Sequence, residues 1–494
     1  MPFIDGVDPE PTGGAGGPRR QIGLRPDVRV VPDGPDVELT HPWGRHRISE
    51  LGGPAVELLV AMADRPLEES VLREPGGPRL RQLLERLPYL VTSSVTDEVG
   101  RPLVTVVPTA RTARLPDHRP VAGHDSLVLS RFGYLRRLPA EADAFVLESP
   151  LAPYRVTLHH PAAAGLVAAL AIRRSVVEAA RVAGLPVEVA GALAGVLAGC
   201  GFLDSEPAAA DDPLQLWDFH DLLFHARSRA GRHDYPSGGI FAHPEFPQLP
   251  AVPTPAADGP AIDLPVPSWD GVLARDPALT EVLEGRRSVR GYAGDPVSVE
   301  QLGELLYRAA RIRRIMPRVP DSPTGYDAVD RPYPAGGAIG ELELYLAVAN
   351  CAGLEPGAYR YDAAAHRLCP RHGDERALGE LLTGARLATN GTVTPQVLIM
   401  VTSRFGRLSW KYSQIAYALT LKHVGVLYQT LYLVATALGL APCALGSGDT
   451  TAAARALRLD YTEESTVGEF LIGSRPPDLP NVATAFADVI ADHR

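Results

Sequence analysis

Lys411 and Tyr412 set a titratable amine beside a phenol, a pairing suited to acid/base work. Arg286, Arg287, Ser288 and Arg290 place three guanidinium forks and a hydroxyl within five residues, which suits a terminal phosphate bound through bidentate, charge-assisted bonds. A plainer reading stays open for each: a solvated basic loop for the arginines, and a snorkelling lysine next to a half-buried tyrosine for the pair. In the stretch YPAGGAIGELELYLAV, which begins at Tyr333, a turn built from Ala335, Gly336 and Gly337 opens onto a strand, and its bare backbone would let a flat ligand lie close. In LGLAPCALGSGD, which begins at Leu438, the free N–H groups of Leu445, Gly446 and Ser447 could face a ring edge that gains negative charge on reduction. The chain has no G-x-G-x-x-G after a strand and no G-x-x-x-x-G-K-[ST], so neither a Rossmann nor a P-loop nucleotide site is expected. His220, Asp221, His225 and His233 invite a metal reading. His220 and His225 are five residues apart and would leave a helix on different faces, so no metal centre is expected.

The element that must carry the amine–phenol pair is residues 409–449, SWKYSQIAYALTLKHVGVLYQTLYLVATALGLAPCALGSGD. Ile415, Leu419, Leu427, Leu431, Val434 and Leu438 fall on one side of a helix, and Gly439 and Pro442 close it. On such a helix neighbouring side chains diverge by about 100°, so Lys411 and Tyr412 are not expected to reach the same atom. Residues 424–446 are long enough and apolar enough to suggest a membrane span. Gln429, Thr430, Thr436 and a mean hydropathy of −0.01 for the whole chain favour a buried core or subunit-interface helix instead, hence a dimer. His423, further along, reads as a packed core histidine. Strands are expected at LELYLAVAN from Leu342, VLIMVTS from Val397 and EFLIGS from Glu469, and an amphipathic helix capped by Ser298 follows the arginine cluster. The C-terminal half is therefore α+β.

The 494 residues suffice for about three domains. A net charge of −10 argues against nucleic acid or an anionic membrane as the main partner. Four scattered cysteines without a C-x-x-C pair fit a reducing cytoplasm, and 47 Gly and 47 Pro require abundant loops. Residues 1–25 read as a disordered tail. Residues 36–66 can be laid on 144–174, each copy being paired strands followed by helices. This predicts a first strand/helix repeat at 26–125 and a second at 126–212. Residues 213–270 read as a connecting segment with a Pro-rich linker, and 271–494 as the domain that carries the chemistry.

The order RRSVR, YPAGG…ELYLAV, WKY, LGLAPCALG, EFLIGSRP resembles the nitroreductase-like flavoproteins, and in particular the SagB/ThcOx-type azoline dehydrogenases, also called thiazole/oxazole oxidases. SRFGYLR, FVLESPLA and FHARSRAGR extend that likeness into the front half. The resemblance implies a nitroreductase-like flavin domain preceded by two small winged-helix-like α/β domains that bind peptide. It implies FMN bound at a homodimer interface, and oxidation of thiazolines or oxazolines in a ribosomal precursor peptide, in company with a YcaO-type cyclodehydratase. Carried over, Arg286, Ser288 and Arg290 hold the FMN phosphate with Arg287 nearby. Ala335, Gly336 and Gly337 line the flavin from the other subunit, Leu445, Gly446 and Ser447 lie near its N5 edge, and Arg475 is a further phosphate or flavin contact. Lys411 and Tyr412 match the family's catalytic pair, either of them serving as base. The rival readings are an NAD(P)H-dependent nitroreductase-like reductase, and a peptide-binding scaffold for a cyclodehydratase.

Overall fold

The structure, a computed structural model, describes residues 17–116, 121–138, 145–206, 209, 211–233, 236–254, 257–320, 322 and 324–492. Two compact units divide the chain between Pro236 and Ser237.

The N-terminal unit is organised by a seven-stranded antiparallel sheet ordered Leu67–Glu68, Arg19–Leu24, Val91–Thr96, Pro102–Pro108, Tyr154–Leu158, Phe145–Glu148, Tyr134–Arg137. In each of the two aligned segments a hairpin precedes a helix: Asp36–His41 and Gly44–Ile48 before Gly53–Asp64, and Phe145–Glu148 and Tyr154–Leu158 before Pro161–Ala169. Ala144, where the second copy was aligned to begin, lies outside the described residues. The copies are not separate bodies, because Pro102–Pro108 of the first pairs with Tyr154–Leu158 of the second and makes the sheet continuous. The tail expected through residue 25 also ends earlier: Arg19–Leu24 is a strand whose Ile22 and Leu24 are buried, and residues 1–16 lie outside the described residues.

The C-terminal unit holds a second seven-stranded antiparallel sheet, ordered Ile262–Asp263, Arg367–Arg371, Gly357–Asp362, Leu342–Val348, Val397–Arg404, Glu464–Ser474, Leu440–Leu445. Its central strands are buried on both faces, which is why LELYLAV and VLIMVTS read as mostly apolar runs without alternation, Glu343, Thr402 and Ser403 being buried polar exceptions. Leu344, Leu346, Ile399, Val401, Phe470 and Ile472 point into a core shared with helices Val299–Ala310 and Ala416–Ala437. Tyr345, Ala347, Leu398, Met400 and Leu471 point the other way, against Glu375–Ala388 and Thr450–Leu457. Val299–Ala310 starts where the sequence placed it: Ser298 Oγ accepts the Gln301 N–H at 3.3 Å while the Gln301 side chain accepts the Ser298 N–H at 3.1 Å.

The long helix spans Ala416–Ala437, buries His423, Val424, Leu427, Leu431, Tyr432 and Ala435, and is closed by Gly439 at φ +67°. Among the described residues, no single helix is long and apolar enough to cross a membrane.

Residues 237–254 are not a free linker. Gly238 and Ser413 form an antiparallel bridge, with the Gly238 N–H on the Ser413 carbonyl at 3.2 Å and the reverse bond at 3.0 Å. Two buried arginines, one ending strand Val397–Arg404 and one just after it, tie the segment down. Arg404 donates to the carbonyls of Pro250, Ala251 and Gly340, and Arg407 to those of Leu249, Ile339 and Asp327. Burial, then the nearby Arg404, lowers the Arg407 guanidinium to about 10.

Candidate active site

Lys411 and Tyr412 lie outside the helix, in the turn between the short helix Phe405–Ser409 and Ala416–Ala437, where Gln414 takes φ +64°. The divergence expected of helical neighbours therefore does not apply. Both side chains reach one spot above Gly337: a methyl placed on that glycine would stand 2.6 Å from Lys411 Nζ, 3.1 Å from Tyr412 Oη and 2.8 Å from Tyr326 Oη. Gly337 is exposed, at φ +62°, so the absent side chain and the left-handed backbone both favour glycine there.

Tyr326 is the residue that the sequence reading missed. Lys411 Nζ donates to Tyr326 Oη at 2.5 Å, and the Tyr326 hydroxyl donates to the Gly337 carbonyl at 2.9 Å. The lysine nitrogen also lies 4.3 Å from the Tyr326 ring centroid, 5.2 Å from that of Tyr412 and 5.9 Å from that of Phe241. Phe241 belongs to the segment expected as linker. Its N–H bonds the Lys411 carbonyl at 3.0 Å, and Gly239 lets the chain pass so close that an added methyl would meet Lys411 Cε at 3.3 Å. The signal for Tyr326 was an aromatic inside the Pro- and Gly-rich stretch PDSPTGYD, but its partner is 85 residues away.

The glycine turn is held from beneath by His423. Gly336 N–H donates to His423 Nε2 at 2.7 Å, and His423 Nδ1 meets Glu341 Oε1 at 2.5 Å. An obligatory backbone donor at Nε2 fixes the proton on Nδ1, so the imidazole donates to the carboxylate. The core histidine expected at 423 is thus a bracket between the helix and the turn.

A second cluster stands further along the same helix. Arg287, Ser288, Arg290 and Arg475 line a cavity of about 290 Å³ together with Thr436, Pro442 and Asp478. Ser288 Oγ lies 2.8 Å from Tyr432 Oη, which accepts the Ala444 N–H at 2.7 Å. Arg286 departs from its expected place: it lies 5.2 Å over the Tyr432 ring, and Arg287 lines the cavity in its stead. Arg475 Nε is buried without a hydrogen-bond partner, and burial, then the nearby Arg287, lowers the guanidinium's pKa. A cavity lined by three guanidinium groups and a hydroxyl, with one buried donor left unsatisfied, fits a phosphate.

Lys411, Tyr412, Tyr326 and Gly337 are not among the residues that line this cavity. His423 and Tyr432, which anchor the two clusters, are nine residues apart, about 13 Å of helix rise. Leu445 is buried at a strand end, whereas Gly446 and Ser447 are exposed. Behind them Gly448 packs so tightly on Glu469 that an added methyl would lie 2.0 Å from its carboxylate, and burial raises the pKa of Glu469. Of the histidines of the front unit, His220, His225 and His233 lie in three different settings. Asp218, His220 and Asp221 meet on the surface, His225 lies against Trp217 with ring centroids 5.6 Å apart, and His233 bonds the Arg227 carbonyl at 2.8 Å.

Residues 283–474 match the Nitroreductase family model. Over 169 residues the chain is 30% identical to MJ1384 of Methanocaldococcus jannaschii, a protein named for the nitroreductases; the alignment covers 34% of this chain and 78% of that one. The chain belongs to the nitroreductase family. Residues 127–234 match the family model of the cyanobactin oxidase ThcOx, so this nitroreductase carries in front of its flavin domain the segment of a ThcOx-type oxidase. It is a flavin-dependent oxidoreductase. Two solved structures are also similar. A Ralstonia eutropha protein named for the same family has a TM-score of 0.34 at 19% identity, covering 49% of this chain and 99% of that one. The Escherichia coli microcin synthetase McbBCD complex with truncated pro-MccB17 has a TM-score of 0.32 at 19% identity, covering 55% of this chain and 100% of the matched chain.

Proposed function

We propose that this nitroreductase-family protein oxidises thiazoline or oxazoline rings in a ribosomally made precursor peptide to thiazoles or oxazoles, with FMN as its flavin. The observation that supports this reading most is the amine of Lys411, set among phenols above Gly337. A flavoprotein that only passes hydride from a nicotinamide to a small molecule needs no base on carbon; ring aromatisation does. Of the 48 Lys and Arg residues, only Lys411 and Lys422 are lysine. A guanidinium stays protonated in proteins, so a chain that otherwise uses arginine keeps an amine where a nitrogen must be able to accept a proton.

Lys411 takes the proton from the α-carbon of the azoline ring, with Tyr412 orienting the ring or sharing the proton. FMN, when bound, would supply the hydride acceptor for the β-carbon. Arg287, Ser288, Arg290 and Arg475 would hold its phosphate, and Gly446 and Ser447 leave open backbone for the ring edge. The turn that faces a given flavin is supplied by a second copy, as the resemblance to the azoline dehydrogenases implies, and the protein is a homodimer. A cyclodehydratase that forms the azolines is its partner, and the cytoplasm its compartment.

Mass spectrometry of an azoline-containing peptide incubated with the purified protein tests this: each ring should lose two hydrogens. Oxidation of NAD(P)H with the ring unchanged would instead assign a reductase, and a colourless protein that takes up no FMN a scaffold.

A further inference from the structure

Resting on the reading above, we infer that Tyr326 is the positioning residue of the site: it seats the Lys411 amine for proton abstraction. The Tyr326 hydroxyl has one proton, and that proton is committed to the Gly337 carbonyl at 2.9 Å. What Tyr326 offers Lys411 is therefore a lone pair, and Nζ donates to it at 2.5 Å. The remaining directions of the nitrogen are left to the space shared with Tyr412 above Gly337, where a substrate ring has room.

The anchor of this contact is itself fixed. Gly337 follows Gly336, whose N–H is bonded to His423 Nε2 at 2.7 Å, and Arg407 holds the Asp327 carbonyl next to Tyr326 and the Ile339 carbonyl just after the turn. A long lysine stem loses much rotamer freedom when its head is held, and this bracing lets a single phenol hold it. The bond from Nζ goes to Tyr326; the Tyr412 hydroxyl approaches the same spot, with its ring centroid 5.2 Å from Nζ against 4.3 Å for Tyr326.

Tyr326→Phe tests the assignment, since it keeps the ring against the lysine and removes only the oxygen. Lys411 and Lys422 are the only lysine side chains, so trace acetic anhydride followed by peptide mass spectrometry reads Lys411 with Lys422 as internal standard. The Lys411-to-Lys422 labelling ratio of the flavin-loaded protein should rise about two- to tenfold, as expected for losing one hydrogen bond. The kcat for azoline oxidation should fall roughly tenfold to a hundredfold with KM unchanged, the cost of a misplaced reacting group. Flavin absorbance and circular dichroism should not change. An unchanged labelling ratio, an unchanged kcat, or a loss of activity that follows loss of flavin or secondary structure would each overturn the assignment. Should the wild-type protein leave an azoline peptide unoxidised, the functional reading fails, while the labelling ratio still decides whether Tyr326 holds Lys411.

Discussion

His423 grips Gly336 by its backbone: the imidazole Nε2 accepts the Gly336 N–H at 2.7 Å while Nδ1 meets Glu341 at 2.5 Å, with His423 and Glu341 both buried. A side chain from the long helix thereby sets the height of the turn on which Lys411, Tyr412 and Tyr326 converge.

Removing that bracket strands a backbone donor and a carboxylate. His423→Ala is expected to destabilise the protein by roughly 2–4 kcal/mol, with one unsatisfied group at Gly336 and one at Glu341. Glu341→Gln keeps an acceptor for the imidazole N–H and should cost less than about half as much. Urea midpoints of the two variants check the order.

Lys411→Arg is the sharpest test of the base. The substitution keeps a cation of similar reach but offers no nitrogen able to accept a proton near neutrality. Azole formation should fall at least about a hundredfold, as far as in Lys411→Ala, with flavin retained in both. Turnover of an azoline peptide by Lys411→Arg within a few-fold of the wild type would remove Lys411 from the chemistry.

The arginine cluster divides into cavity-lining and packing members. Arg290→Ala and Arg475→Ala should each weaken FMN retention by about ten- to a hundredfold, the worth of one charge-assisted hydrogen bond. Arg286→Ala, which removes only a stacking contact on Tyr432, should weaken it less than about fivefold. Dialysis followed by flavin absorbance ranks the three.

Glu469 adds a pH signature. Burial raises its pKa above the ordinary 4.5, so the stabilising contribution is complete below that value and is lost as pH rises through the raised folded-state value. Wild-type stability should therefore decline as pH climbs above the ordinary carboxylate value of 4.5, and Glu469→Gln should flatten the decline. Denaturant midpoints at three pH values decide it.

Much of the C-terminal fold was legible because its strands are buried on both faces. Leu342–Val348 and Val397–Arg404 are dominated by β-branched, aromatic and other apolar residues, and Ser298 with Gln301 announces its helix unaided. The front sheet was less legible. That Pro102–Pro108 would pair with Tyr154–Leu158 is a non-local choice which no local pattern encodes, so two repeats read as two bodies. In the site, residue types pointed to Lys411 and Tyr412 but the backbone misled: Gln414 at φ +64° ends the preceding turn and frees both side chains from helical divergence. Tyr326, Phe241 and the role of His423 depend on contacts across many residues. The scarcity of lysine was in plain view and would have favoured Lys411 over Tyr412 as base.

The pairing of Gly238 with Ser413 bears on how the flavin half can be excised. A fragment started at the first helix after the Pro-rich stretch, Trp269–Arg275, would omit Gly239 and Phe241 and leave the lysine stem bare on one side. Cut instead just after Pro236, the fragment keeps its wall, and a comparison of the two lengths would reveal how much of the chemistry is borrowed from those thirty-odd residues.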